Sequence, residues 1–372
     1  MPSTQGREED AYARMIRKLG YPASRTLRTL FEVACGQEEV QLVLELPAAA
    51  EQLAERVKRD GKEVEDQLQR LARLGMVRDF PGPDVKLSYL SIDQIEPLSD
   101  SMMQVIGATD YDPHTRTIGD DKNRRIADLW NQFFDEEWYR FARTDELIHR
   151  RVEMLGGPAV GKTFTVTPAW KALEKCNAEP LPDHSYDLRH VARQAKVHGK
   201  RIVTLACSCK VRARKSSAPI FTCGSFVEGT SPAFDYDPRG IKKRWDPEEW
   251  LEMMGICEEQ FALVHVGLPP NLYDVCTCDT ECCNIFTPLK RHAHCYEGVE
   301  KSPYRSVVNE DACRGCPDCM ARCRFEAISI RKDSASERRL AWVNHERCTG
   351  CGQCVLGCKV EGALGLELAK GG

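Results

Sequence analysis

Eight cysteines in the last fifth of the chain stand at spacings suited to gripping a polynuclear metal centre. Cys313-x2-Cys316-x2-Cys319-x3-Cys323 recurs as Cys348-x2-Cys351-x2-Cys354-x3-Cys358. An iron–sulfur cubane needs four thiolates at the corners of a tetrahedron. Two-residue gaps wrap a loop so that three sulfurs converge on one cluster, while the fourth, after a three-residue gap, is carried toward the other half of the motif. The expected ligand sets are therefore interleaved: Cys313, Cys316, Cys319 and Cys358 for cluster I, and Cys348, Cys351, Cys354 and Cys323 for cluster II. Gly315, Gly350 and Gly352 suit a backbone that must bend closely around each cluster. Zinc is the competing reading of such cysteines, but zinc closes with four ligands and does not call for two interlocked quartets.

Seven further cysteines lie upstream: Cys207, Cys209 and Cys223, then Cys276, Cys278, Cys282 and Cys283. They exceed the need of one site. The expectation is a third metal centre, an iron–sulfur cluster first and zinc second, with buried thiols or a thiol–disulfide pair as the non-metal alternative. His265, His292 and His294 are further ligand candidates, although a lone histidine more often serves the surface or a hydrogen-bonded core. Cys35, Cys176, Cys257 and Cys295 stand apart and read as small buried hydrophobes.

The elements that must position these residues divide the chain into four parts: 1–97, 98–183, 184–300 and 301–372, together a multidomain α+β protein. In the first, Ser24 to Ala34 and Glu38 to Leu46 have helical apolar spacing, and Pro47 suits a first helical turn. A helix from Ala48 to Val57, a turn at Arg59-Asp60-Gly61 and a second helix presenting Val64, Leu68, Leu71 and Leu74 end at Gly75. Met76-Val77 then opens a strand, and the whole resembles a winged helix–turn–helix. The second part reads as mostly helical, with an aromatic stripe of Trp130, Phe133, Phe134, Trp138 and Phe141 that packs a core. The third, cysteine-rich part reads as α/β: a helix from Tyr186 to Val197, a strand from Arg201 to Ala206 running into Cys207, a helix opened by Asp246 and Pro247, and a strand from Phe261 to Val266. Gly156-x4-Gly161-Lys162-Thr163 matches a phosphate-loop pattern, but that loop works only between a buried strand and a helix. Here a charged, helical segment precedes it and Phe164 to Pro168 follows, so it reads as a glycine turn leading into a strand.

Strand-like segments flank both quartets, Ser306–Val308 and Ala327–Ile330 around the first, Leu340–Val343 and Ala363–Leu366 around the second. With the eight cysteines, they make the last 70 or so residues resemble the bacterial two-[4Fe-4S] ferredoxin family. That resemblance implies a pseudo-twofold fold holding two [4Fe-4S] clusters. The family usually has proline after the fourth cysteine of each quartet; Arg324 and Lys359 stand there instead. Arg314, Arg322 and Arg347 lie beside ligands, where positive charge would raise the potential or dock an acidic partner. From Arg201 to Leu289 the chain also resembles a group of anaerobe iron–sulfur proteins in which a C-x-C-[RK] segment and a cysteine-dense loop precede a dicluster ferredoxin domain.

Nineteen cysteines in 372 residues would mean disulfides in a small exported chain. Here the polar, acidic opening MPSTQGREED is unlike a signal peptide, no run of apolar residues is long enough to span a bilayer, and 15 of the 19 cysteines fall in the three motif groups. A reducing cytoplasm and metal are the expectation. Net charge is -4, which gives no bulk attraction to nucleic acid or anionic lipid. The second helix of the helix–turn–helix offsets Lys62, Arg70 and Arg73 with Glu63, Glu65 and Asp66, favouring protein contacts over DNA. The expected function is electron transfer between the ferredoxin clusters and a partner oxidoreductase or flavoprotein in an anaerobic system, with no catalytic residues. A redox-sensing transcription regulator and an oxidoreductase with an open-site central cluster are the alternatives.

Overall fold

Ser24, Asp60, Asp120 and Asp246 each stand just ahead of an apolar, helix-periodic run, and each caps the helix that follows. Their side chains accept hydrogen bonds from the backbone N–H groups of Leu27 (3.1 Å), Glu63 (2.9 Å), Asn123 (2.9 Å) and Glu248 (3.0 Å). These caps come from a computed structural model that describes residues 9–81, 87–92, 94–139, 165–181, 184–230, 235–267, 275–284, 286–287, 299–332 and 337–369. The chain divides into two compact units: Met1–Phe141 with Ala206–Arg214 and Tyr236–Ile241, and Ala142–Leu205 with Lys215–Asp235 and Lys242–Gly372.

The first unit is mainly helical. Helices Arg25–Ala34, Gln37–Leu44, Ala50–Val57 and Gly61–Arg73 bury Leu27, Leu30, Phe31, Val40, Leu53, Val64, Leu68 and Leu71. The Gly61–Arg73 helix ends at Gly75, whose φ of +77° lets the chain turn into the strand Val77–Pro81. That strand pairs antiparallel with Leu87–Ser91, which also pairs with Ala48–Ala49. Pro47 therefore does not sit in a first helical turn. The backbone after it is claimed by the sheet, and the helix starts only at Ala50.

The predicted aromatic stripe is core: Trp130, Phe133, Phe134 and Trp138 are all buried along Asp121–Phe133 and the π-helical turn Phe134–Trp138. Phe141 and the phosphate-loop pattern lie outside the described residues. The short helix Ser208–Ala213 belongs to this unit and packs on Ile95–Thr109, with the Ser208 hydroxyl 2.5 Å from Asp100 Oδ1 and the Arg212 guanidinium 4.2 Å from the Phe134 ring centre.

The second unit is built on a six-stranded sheet in the order Thr165–Thr167, Val264–Gly267, Val275–Cys278, Cys223–Val227, Ile202–Leu205, Lys243–Trp245. Every ladder is antiparallel, so the central region is α+β in its sheet rather than the α/β arrangement expected from alternating helices and strands. Helices Trp170–Lys175, Leu188–Val197 and Pro247–Phe261 belong to the same unit, and Trp250 and Met254 of the last are fully buried. The strand expected from Phe261 starts later, at Val264. Phe261 still closes the helix, and Ala262, at φ +53°, caps it.

The last segment folds as two antiparallel pairs, each holding one strand from each half of the motif: Tyr304–Val308 with Leu364–Leu368, and Ile328–Lys332 with Arg339–Val343. Among the described residues, no helix is long and apolar enough to cross a membrane.

Candidate iron–sulfur site

Each half of the motif runs as a strand, a cysteine loop, one short helix and a second strand. Asp318–Arg322 follows the first loop and Gln353–Gly357 the second. The loops depend on positive φ at Gly315 (+64°), Gly350 (+72°) and Gly352 (+77°). The backbone comes so close at two of them that a side chain would collide. A Cβ on Gly315 would lie 2.2 Å from the Arg339 carbonyl oxygen, and one on Gly350 2.0 Å from that of Tyr304.

Cys323, Cys348, Cys351 and Cys354 line one cavity, together with Ser306, Phe325, Ala327, Ile328, Val343 and Thr349. The fourth cysteine of the first quartet thus stands with three of the second. In the other half, Cys313, Cys316 and Cys358 all act electrostatically on Cys319. All eight are free thiols.

Cys313, Cys319, Cys354 and Cys358 are buried and the other four cysteines half-buried. Burial pushes the Cys319 thiol up to about 11, and the neighbouring thiols push the same way. Burial lifts Cys351 to about 12, against the pull of the Gln353 backbone N–H, and raises Cys354 well above the ordinary thiol range. Four soft donors facing one apolar cavity are costly to ionise alone and well matched to an iron–sulfur core whose ferric and ferrous charges offset the thiolates. The residues present therefore fit such a group. Several donors also reach these sulfurs: Ala327 N–H to Cys323 (3.2 Å), Ala341 and Gly315 N–H to Cys313 (3.4 and 3.5 Å), with the Ser306 hydroxyl 3.0 Å from Cys354 Sγ. Hydrogen bonds to cluster sulfurs help set the potential.

Arg322, expected to charge the surroundings of a cluster, and Arg324, at a usual proline position, are both committed to backbone carbonyls. Arg322 donates to the carbonyls of Glu258 and Glu259 (the latter at 2.7 Å), and Arg324 to those of Phe261 (3.0 Å) and Ala262 (3.3 Å). Both cap the C-terminal end of the Pro247–Phe261 helix, where unpaired carbonyls attract cations. Arg324, where the ferredoxin family usually has proline, thus ties the motif to the end of that helix. Lys359, at the corresponding place in the second quartet, is largely exposed, with only a 3.7 Å pair to Asp318.

Lys175 clamps the other short helix through the carbonyls of Val355 (2.9 Å) and Cys358 (2.7 Å), and Gln353, fully buried, donates to Leu263 O (2.6 Å). None of these long-range clamps has a local signal in the sequence. Arg314 is exposed, and Arg347 pairs with Glu326 at 2.9 Å.

The upstream cysteines divide between the units. Cys207 and Cys209 flank Ser208 in the first. In the second, Cys223 Sγ lies 3.6 Å from Cys276 Sγ, and Cys278 is within hydrogen-bond reach of Cys276 and Cys283. The Cys282 thiol turns to the Asp279 carbonyl, 3.7 Å away. His265 has both ring nitrogens engaged, Nε2 with Glu258 Oε1 (2.8 Å) and Nδ1 with Thr277 Oγ1 (3.0 Å), so it is a hydrogen-bonded core residue. His292, His294 and Cys295 lie outside the described residues. Of the remaining isolated cysteines, Cys35 and Cys257 are buried as expected, whereas Cys176 is half-buried with its thiol 3.0 Å from the Ala172 carbonyl oxygen.

Neither a curated protein nor a solved structure matches the chain. Residues 312–364, which span both quartets, match the family of 4Fe-4S dicluster domains.

Proposed function

We propose that this protein is an electron carrier in which Cys313, Cys316, Cys319 and Cys358 hold one [4Fe-4S] cluster and Cys323, Cys348, Cys351 and Cys354 the other. When bound, such clusters supply reversible one-electron chemistry. The polypeptide's part is to hold eight thiolates in place, keep water away and aim N–H and O–H donors at the sulfurs. The observation that carries the reading is the single cavity lined by Cys323 with Cys348, Cys351 and Cys354, within a segment matching a dicluster family.

The partner in this reading is a flavoprotein or other oxidoreductase in the cytoplasm of an anaerobe. The helix–turn–helix with its adjoining hairpin is a winged-helix-like module that binds protein rather than DNA. Arg70 supports this assignment: it is spent on Glu39, and Arg59 pairs with Glu63 at 2.5 Å, leaving less charge for phosphate.

Anaerobic purification with iron and sulfide counts, followed by a redox titration read by electron paramagnetic resonance, tests the proposal. Cys323→Ser should remove the cluster built on the second half of the motif and spare the first. Loss of the first-half cluster instead would overturn the interleaved assignment, and a chain that takes up no iron or sulfide would overturn the whole reading.

A further inference from the structure

The strand Val275–Cys278 alternates Val275, Cys276, Thr277 and Cys278, so Cys276 and Cys278 share one face and Thr277 takes the other, toward His265. The neighbouring strand opens with Cys223. Pairing of Val275 with Ser225, and the Thr277 N–H bond to Thr222 O (3.0 Å), bring Cys223 alongside Cys276. After the strand, the chain folds back over the Asp279 carbonyl, which accepts from the N–H groups of Cys282 (3.2 Å) and Cys283 (3.0 Å). That turn delivers Cys283 to Cys278 and sends the Cys282 thiol aside. Four thiols thus meet on one face of a sheet, drawn from three places in the sequence.

We infer that Cys223, Cys276, Cys278 and Cys283 ligate a third iron–sulfur centre. Two observations carry this. The donor set is four sulfurs, which selects iron–sulfur cores, zinc or cuprous ion over harder metals. A structural zinc would need its donors closed around one point. Zinc would bind without sulfide, so sulfide bound with the metal separates the two readings. In addition, Cys276, Cys278 and Cys283 pack into the same apolar core as Phe325 and Val299, and half-buried Cys223 borders that core with Cys323 and Cys351 of the cluster II set. The site therefore adjoins the cluster II set through one shared apolar core. Its existence does not depend on the electron-transfer reading; its role as a third relay in that chain does.

The full-length chain, purified anaerobically and reloaded with ferrous iron and sulfide, provides the test. Iron, sulfide and zinc are counted in the wild type, in Cys278→Ser/Cys283→Ser and in Cys351→Ser/Cys354→Ser. The first variant should lose the iron and sulfide of one centre and one paramagnetic signal, while the signals lost in the second variant remain. If the variant fails to fold, differential alkylation of the wild type decides: Cys223, Cys276, Cys278 and Cys283 should be protected in the loaded chain and alkylated after the metal is stripped.

Unchanged iron and sulfide in the Cys278/Cys283 variant, zinc without sulfide at the site, or a Cys223–Cys276 disulfide in the anaerobic protein would each overturn the inference. Iron lost only through Cys351 and Cys354 would leave the dicluster reading standing and remove the third centre. A chain with no iron at all would overturn both.

Discussion

At the scale of single residues, the glycines of the cysteine loops carry a testable load. Gly350 and Gly362 both have positive φ, +72° and +67°, yet their surroundings differ. A Cβ on Gly350 would meet a carbonyl oxygen at 2.0 Å, whereas nothing lies within 4 Å of one on Gly362. Gly362→Ala bears only the conformational cost, about 1 kcal/mol. Gly350→Ala adds a backbone collision beside Cys348 and Cys351 and should cost about 3 kcal/mol or more. Anaerobic thermal unfolding with iron retention should show a small shift for the first and a large shift with iron loss for the second; equal shifts would refute the steric argument. The need for glycine at 315, 350 and 352 was legible in the sequence, because a loop around a cluster must bend tightly. The identity of the opposing carbonyls, Arg339 and Tyr304, was not, because it depends on a partner strand elsewhere in the chain.

At the scale of elements, Glu258 shows how a junction can be hidden from sequence reading. Its carboxyl group is fully buried and accepts from the backbone N–H groups of Trp170 (2.9 Å) and Lys171 (3.0 Å), so it caps a helix from 88 residues away while also meeting His265. Glu258→Ala would leave two helix-start amides and a buried imidazole without their acceptor. The expected loss is about 3–5 kcal/mol, and Glu258→Gln, which keeps one acceptor oxygen, should lose less. Urea unfolding of the loaded chain checks the order of the two variants, and an alanine variant as stable as wild type would show that water replaces the carboxyl group. By contrast, the Asp246–Pro247 helix start was readable because cap and helix are contiguous. The sheet order was not, since its neighbouring strands lie far apart along the chain.

At the scale of the whole molecule, the two units stand on different physical foundations. The first buries a conventional apolar core, with Leu27, Leu30, Phe31, Val64, Leu68, Leu71, Trp130, Phe133 and Phe134 at zero exposure. Its inclusion of 206–214 and 236–241 left no trace in local pattern, because those pieces are recruited by tertiary contacts such as Ser208 with Asp100. The cysteine-loop segment of the second unit has two-stranded sheets and five-residue helices, elements too small to persist alone. Its core contains cysteines where a metal-free domain would place leucine or valine, including Cys313, Cys319, Cys354 and Cys358. Metal binding there is folding energy. Stripping iron with a chelator under oxidant should therefore open 301–369 to protease while 9–81 stays resistant and keeps its helical circular dichroism. Reloading with ferrous iron and sulfide under reducing conditions should restore protection. If 301–369 stays resistant after the iron is gone, the apolar strands Tyr304–Val308 and Leu364–Leu368 and their neighbours suffice to hold the segment, and the thiols are guests of a preformed fold rather than its keystone.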